Sequence, residues 1–203
     1  MIELYAITDD ATPPDPPLRA VRSDGLSALY APSEPHEATI DELRRHEAVV
    51  EALMESRDLL PVRFGTLLAD ERAAARAVAE RSEELAASLD RVRGAVELAV
   101  RVHARRRDAD PPPRGVSGRD YMSGKARDTE AARAMHEPLA QLARENVIRP
   151  GPELLRAAYL VDRSALDRFV ALVRRLQGAN PELDVLCTGP WPPYSFAEGG
   201  RSS

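Results

Sequence analysis

A single cysteine, Cys187, stands in 203 residues, so no internal disulfide staples this chain and a packed core has to hold it. No stretch approaches the roughly 20 consecutive apolar residues that span a bilayer. The opening Met1-Ile2-Glu3-Leu4 lacks the basic and apolar regions of a signal peptide, which makes a reducing, cytoplasmic setting the expectation. Positive charge is also short. With a net charge of −5 nothing recommends a nucleic-acid or anionic-membrane partner, and Arg105-Arg106-Arg107 reads as a solvated loop. There is no G-x-G-x-x-G or other glycine-rich phosphate loop and no H-E-x-x-H helix, while His36, His46, His103 and His136 are scattered without ligand spacing. No cofactor and no metal are therefore expected. Cys187 sits in an apolar run before Thr188-Gly189, where a buried, inert thiol is the expectation, and no base and nucleophile constellation marks an enzyme.

What is present begins with Leu59-Leu60-Pro61-Val62-Arg63-Phe64-Gly65-Thr66-Leu67-Leu68, an apolar, β-favouring run interrupted by one arginine. The composition predicts a buried strand, with Pro61 at its start, where a missing N–H breaks no ladder bond, and Gly65 at a bend. A guanidinium among such neighbours must either reach water or meet a carboxylate. Arg63 is expected to be a structural charge held by Glu47, Glu97 or backbone carbonyls, at a cost of about 3 kcal/mol if removed; alternatively it contacts an anion or a partner protein.

Along the chain, residues 2–8 form a continuous apolar strand and residues 9–17, with four prolines, an exposed connection. The Asp24-Gly25 pair between apolar-polar alternations predicts a β-hairpin, because both residues of a type I′ turn take positive φ. From 38 to 56, Ile40, Leu43, Val50, Leu53 and Met54 recur at helical spacing; His46 falls on that stripe as a packed, hydrogen-bonded residue, with Glu47 beside it. Asp70 is placed to cap one long helix reaching Gly94. Residues 96–103 alternate as a strand with Glu97, Ala99, Arg101 and His103 on a polar face, 105–118 is a charged, proline-rich loop, and 119–147 is helical with a kink or break at Pro138. Strand 154–162, a helix 165–177 capped by Ser164, and strand 183–188 follow.

The end of the chain concentrates scarce residues. Aromatics make up only 4% of the sequence, yet Trp191, Tyr194 and Phe196 lie within Gly189-Pro190-Trp191-Pro192-Pro193-Tyr194-Ser195-Phe196. Three prolines keep this stretch extended and low in entropy, so it is expected to lie against the body of the protein, with Trp191 mostly buried and the Tyr194 hydroxyl near water.

Three motifs in register carry a resemblance. Leu60-Pro61-Val62-Arg63-Phe64-Gly65-Thr66 preceded by a helical His46-Glu47, the late strand Ala158-Tyr159-Leu160-Val161-Asp162-Arg163, and the terminal segment from Gly189 to Phe196 are similar to the gas vesicle protein family GvpF/GvpL. The resemblance implies an α+β protein of two small α+β domains, at least one of them ferredoxin-like, with an extended proline- and aromatic-rich C-terminal tail. The expected boundaries are 1–93, 94–189 and 190–203. It further implies a gas vesicle accessory protein, not an enzyme, that binds the small hydrophobic shell subunit and other accessory proteins. Such a protein assists vesicle nucleation and assembly or joins the wall as a minor component. Partner-binding or structural roles fall on Pro61, Arg63, Phe64, Gly65, Gly189, Pro190, Trp191, Pro192, Pro193, Tyr194 and Phe196. The alternative function is a ferredoxin-like regulatory module that binds a small molecule.

Overall fold

The structure, a computed structural model, describes residues 1–34, 39–105 and 118–197, with the backbone alone for 118–126. The expectations for His36 and for residues 106–117 of the central loop fall outside the described residues. The fold is mixed α+β with two sheets, and the chain forms two compact units, Met1–Val96 with Trp191–Ser203, and Glu97–Pro190.

Unit 1 is built on strand β1 (Ile2–Thr8), whose other strands flank it in the order β2 (Arg19–Ser23), β3 (Leu26–Pro32), β1, β4 (Leu60–Pro61), with β5 (Leu67–Leu68) also paired to β1. The hairpin β2–β3 closes through Asp24 at φ 48° and Gly25 at φ 80°, the two positive values that a type I′ turn demands. Helix α1 (Ile40–Ser56) starts at a capping box. The Thr39 hydroxyl accepts from the Glu42 N–H, and the Glu42 carboxylate accepts from the Thr39 N–H. Its buried stripe is His46, Val50, Leu53 and Met54, while Ile40, expected on that stripe, sits in the first turn and is exposed.

The expected strand across 59–68 is corrected to two short pieces. Leu60 and Pro61 pair with Ile7 and Ala6, and Leu67 and Leu68 pair with Glu3 and Ile2, so Leu4 and Tyr5 face the five residues 62–66. The three surplus residues, 63–65, loop out. Ladder bonds continue on either side, from the Val62 N–H to the Tyr5 carbonyl (2.9 Å) and from the Leu4 N–H to the Thr66 carbonyl (3.0 Å). The excursion closes as a turn in which Thr66 N–H and Oγ1 both donate to the Arg63 carbonyl. Gly65, at φ 79°, holds the turn position that disfavours any Cβ.

The single helix expected from Asp70 to Gly94 is two. Asp70 does cap α2 (Glu71–Ala79), its carboxylate accepting from the Ala73 N–H at 2.8 Å, but α3 (Ser82–Val92) starts afresh. The stripe through Ala74 and Val78 would need an apolar residue at 81 or 82 and meets Arg81 and Ser82 instead, so a continuous helix would point a charge into the core. The break frees α2 to cover β2 and β3 while α3 covers β4.

Unit 2 carries strands β6 (Ala95–Ala104, its first two residues in unit 1), β7 (Glu145–Ile148), β8 (Leu155–Asp162) and β9 (Leu183–Trp191) in the order β7-β8-β6-β9, with α4 (Gly118–Ala140) after β6 and α5 (Leu166–Ala179) after β8. This is the βαββαβ arrangement of ferredoxin-like folds. Its core joins Leu98, Val100 and Val102 of β6 to Tyr159 and Val161 of β8 and to Met135, Leu139 and Phe169 of the helices. Four expectations are corrected here. Helix 119–147 runs through Pro138 and ends at Ala140, and 145–148 alternates exposed and half-buried residues as a strand paired with β8. Glu97, expected on a polar face, is buried, since β6 lies between two strands and is covered on both faces near its start. Ser164 lies in a 3₁₀ turn (Arg163–Ala165) and does not cap α5 through its side chain. The last strand runs three residues beyond Thr188 to Trp191.

Candidate functional site

Two of the three sequence motifs meet in unit 1. The residue that fixes the looped-out turn comes from α1: His46 is only 2% exposed, its Nδ1 lies 3.0 Å from Glu3 Oε1, and its Nε2 lies 2.9 Å from the Val62 carbonyl oxygen. A carbonyl can only accept, so Nε2 bears a proton. The Nδ1 contact to the Glu3 carboxyl then holds one further proton, and the pair as a whole is neutral, which is how an ionisable couple tolerates burial. Glu3 Oε1 also accepts from the Gly65 N–H at 3.5 Å. The ring is clamped between aromatics, stacked on Tyr5 at 4.6 Å between centroids and edge-on to Phe64 at 5.6 Å. Tyr5 occupies the irregularity between Leu4 and Ala6 in the β1–β3 pairing, and such a bulge re-aims a side chain.

Glu3 was not among the expected functional residues. The signal was there, a carboxylate inside the apolar run 2–8, the same kind of anomaly as Arg63 inside 59–68. The two anomalies resolve oppositely. Glu3 is the buried charge with a partner, whereas Arg63 is exposed on the turn, which corrects its assignment as a buried structural ion. An exposed guanidinium keeps its hydration, and its ion pairs contribute about 0 to 1 kcal/mol.

The terminal segment reaches the same turn. Gly189 has φ 118°, a conformation that only glycine adopts readily, and Pro192 and Pro193 are buried. The segment is not extended to its end, because 194–197 wind into one helical turn, α6 (Tyr194–Ala197), packed on α3 and β4. Phe196 is 2% exposed and anchors it, and the Arg91 guanidinium donates to the Phe196 carbonyl. Trp191, expected to be mostly buried, is 40% exposed. As the last residue of β9 it precedes the buried prolines, and the smaller ring three residues past them takes the core position.

Tyr194 is half-buried, and loss of hydration, reinforced by Glu47 and Glu51, pushes its phenol up to about 12. The folded value lies above that of a free phenol, so the stabilisation is complete below pH about 10 and is lost as pH rises through about 12. Melting temperature followed from pH about 9 upward should fall in that window, and Tyr194→Phe should flatten the fall; an unchanged alkaline limb would show that the phenol titrates as if free.

Between the turn and α6 lies a cleft of about 220 Å³. Ile7, Leu60, Pro61, Val62, Leu85 and Ala197 give it an apolar lining, and Arg63, Thr66, Arg81 and Tyr194 give it polar groups. Arg81 is committed to Glu84 through two bonds of 3.0 and 3.1 Å. Such a lining accepts an aliphatic side chain with polar groups beside it. It holds no nucleophile paired with a base, and the described residues bring together no cluster of three histidine, cysteine or carboxylate ligands for a metal. Cys187, on β9, has its thiol pushed up by burial.

Of the expected site residues, Pro61, Arg63 and Tyr194 line the cleft, Phe64 and Gly65 shape the turn beside it, and Pro192, Pro193 and Phe196 seat α6. Gly189, Pro190 and Trp191 belong to the end of β9. Among the described residues no helix is long and apolar enough to cross a membrane.

Comparison with known proteins gives a consistent answer. The sequence pattern of the family described as gas vesicle synthesis protein GvpL/GvpF matches residues 4–113 and 120–198. Gas vesicle protein L of Streptomyces sp. (strain CB03234) is 33% identical over 186 residues, 77% of this chain and 69% of that one. Gas vesicle protein F of the same strain is 30% identical over 214 residues, covering 91% of this chain and 90% of its own. The crystal structure of GvpF from Anabaena sp. PCC7120 superposes with a TM-score of 0.80 at 21% identity, over 98% of this chain and 97% of that one, which establishes the fold. The chain belongs to the GvpL/GvpF family of gas vesicle synthesis proteins.

Proposed function

We propose that this protein binds the small hydrophobic shell subunit of the gas vesicle and assists nucleation and assembly of its wall, using the cleft of unit 1. It acts at the vesicle alongside other accessory proteins, in the cytoplasm. The observation that carries this is the convergence of two distant segments, 60–66 and 192–197, on one apolar cleft with a polar surround. An apolar subunit taken from solution needs a place to lodge side chains, and the clamped turn offers one that is pre-formed.

Co-expression with the shell subunit tests it. The native chain should retain that subunit on affinity purification and keep it soluble. Arg63→Glu should lose the subunit while changing stability by less than about 1 kcal/mol, because the side chain is exposed. Undiminished capture by the variant would remove the turn from the interface. The ferredoxin-like βαββαβ topology of unit 2 favours a second function, a small-molecule regulatory module, for which metabolites rather than the shell subunit would raise the melting temperature.

A further inference from the structure

Unit 2 carries a second, separate surface. A groove of about 500 Å³ runs between the end of α4 and the outer side of α5, with Pro138, Leu142, Ala171 and Leu172 as apolar lining. Arg168 and Arg175 line the same groove from α5. Both are exposed, and neither guanidinium has a hydrogen bond or ion pair to any described residue. They stand seven residues apart in one helix, two turns and about 10 Å along its axis, so they share a face. Two cations with no ion-pair partner among the described residues border this apolar groove, on a chain whose net charge is −5.

We propose that this groove docks an acidic amphipathic helix of a partner protein. The charge and the spacing together select that occupant. Carboxylates seven residues apart on a facing helix would meet Arg168 and Arg175, and the apolar residues between them, on the same face, would drop onto Leu142 and Leu172. Guanidinium forks suit carboxylates through paired hydrogen bonds, and pairs at such a rim govern encounter rate and partner choice more than raw affinity. Positions about 10 Å apart along the axis suit two carboxylates better than one small anion. The surface is independent of the shell-binding cleft, since all its residues belong to the other unit.

The test uses the full chain and a labelled synthetic helix of about 20 residues, long enough to hold helical structure, with glutamates seven apart and leucines between them. Fluorescence anisotropy should show binding that weakens with salt and falls at least about tenfold in R168E/R175E. The same peptide with lysines in place of glutamates should bind the variant and not the native chain. Both substitutions are at exposed positions, so an unchanged melting curve confirms that the variant is folded. Equal affinity for native and variant protein, or no binding of the acidic peptide, overturns the proposal. So does a native dimer that R168E/R175E dissolves in sedimentation, because a second copy would then occupy the groove.

Discussion

His46→Ala is expected to destabilise unit 1 by about 3 to 5 kcal/mol, the range found when one partner of a buried ion pair is removed. The imidazole satisfies three things at once. It neutralises Glu3, which is only 7% exposed; it donates to the Val62 carbonyl; and it fills the space between Tyr5 and Phe64. Alanine leaves a buried carboxylate without its ionisable partner, and a cavity beside it. Denaturant unfolding of the single variants and of Glu3→Gln/His46→Gln measures the coupling, and the double variant should cost less than the sum of the two. Hydrogen exchange at residues 62–66 should quicken first, because the turn has lost its clamp. A shift of the unfolding midpoint equivalent to less than about 1 kcal/mol would show that Glu3 finds another partner.

The second large effect belongs to Phe196. Truncating a fully buried phenylalanine to alanine costs about 3 to 5 kcal/mol, and here the ring is the anchor that seats α6 on α3 and β4. Trp191→Ala should cost far less, since that ring is 40% exposed. Ending the chain at Gly189 should lower the melting temperature as well as impair capture of the shell subunit, because the cleft loses Tyr194 and Ala197 from its wall. If the truncated chain melts like the native one, the segment is not held by its own protein. If Trp191→Ala proves the more damaging of the two point variants, the anchor has been misassigned.

These two predictions rest on residues that the sequence revealed unequally. His46 was legible as a packed histidine because it sits on a helical apolar stripe, and that periodicity is a property of a local segment. Its partner was not. Glu3 and His46 are 43 residues apart, and nothing in either segment records the register that brings them to 3.0 Å. Arg63 shows the reverse error: surrounded by apolar neighbours in sequence, it was assigned to the interior, but three surplus residues opposite Leu4 and Tyr5 push it out on a turn. Likewise, Trp191 is the larger apolar ring, yet burial went to Phe196 because the positions of Pro192 and Pro193 set which ring reaches α3.

What the sequence determined by itself is whatever depends on local chemistry: the type I′ hairpin from Asp24-Gly25, the cap at Asp70, and the α+β alternation that follows from periods of two and 3.6 residues. Family kinship was legible as well, through three motifs in register. Only the tertiary structure decided that 192–197 returns to the first unit, that 60–66 and α6 share a cleft, and that Arg168 and Arg175 border an apolar groove with no partner among the described residues. The physical reason is that these outcomes are set by competition among distant segments for the same buried surface. Local propensity carries no term for that competition, so which charge is buried and which is left to solvent is settled only when the whole chain packs.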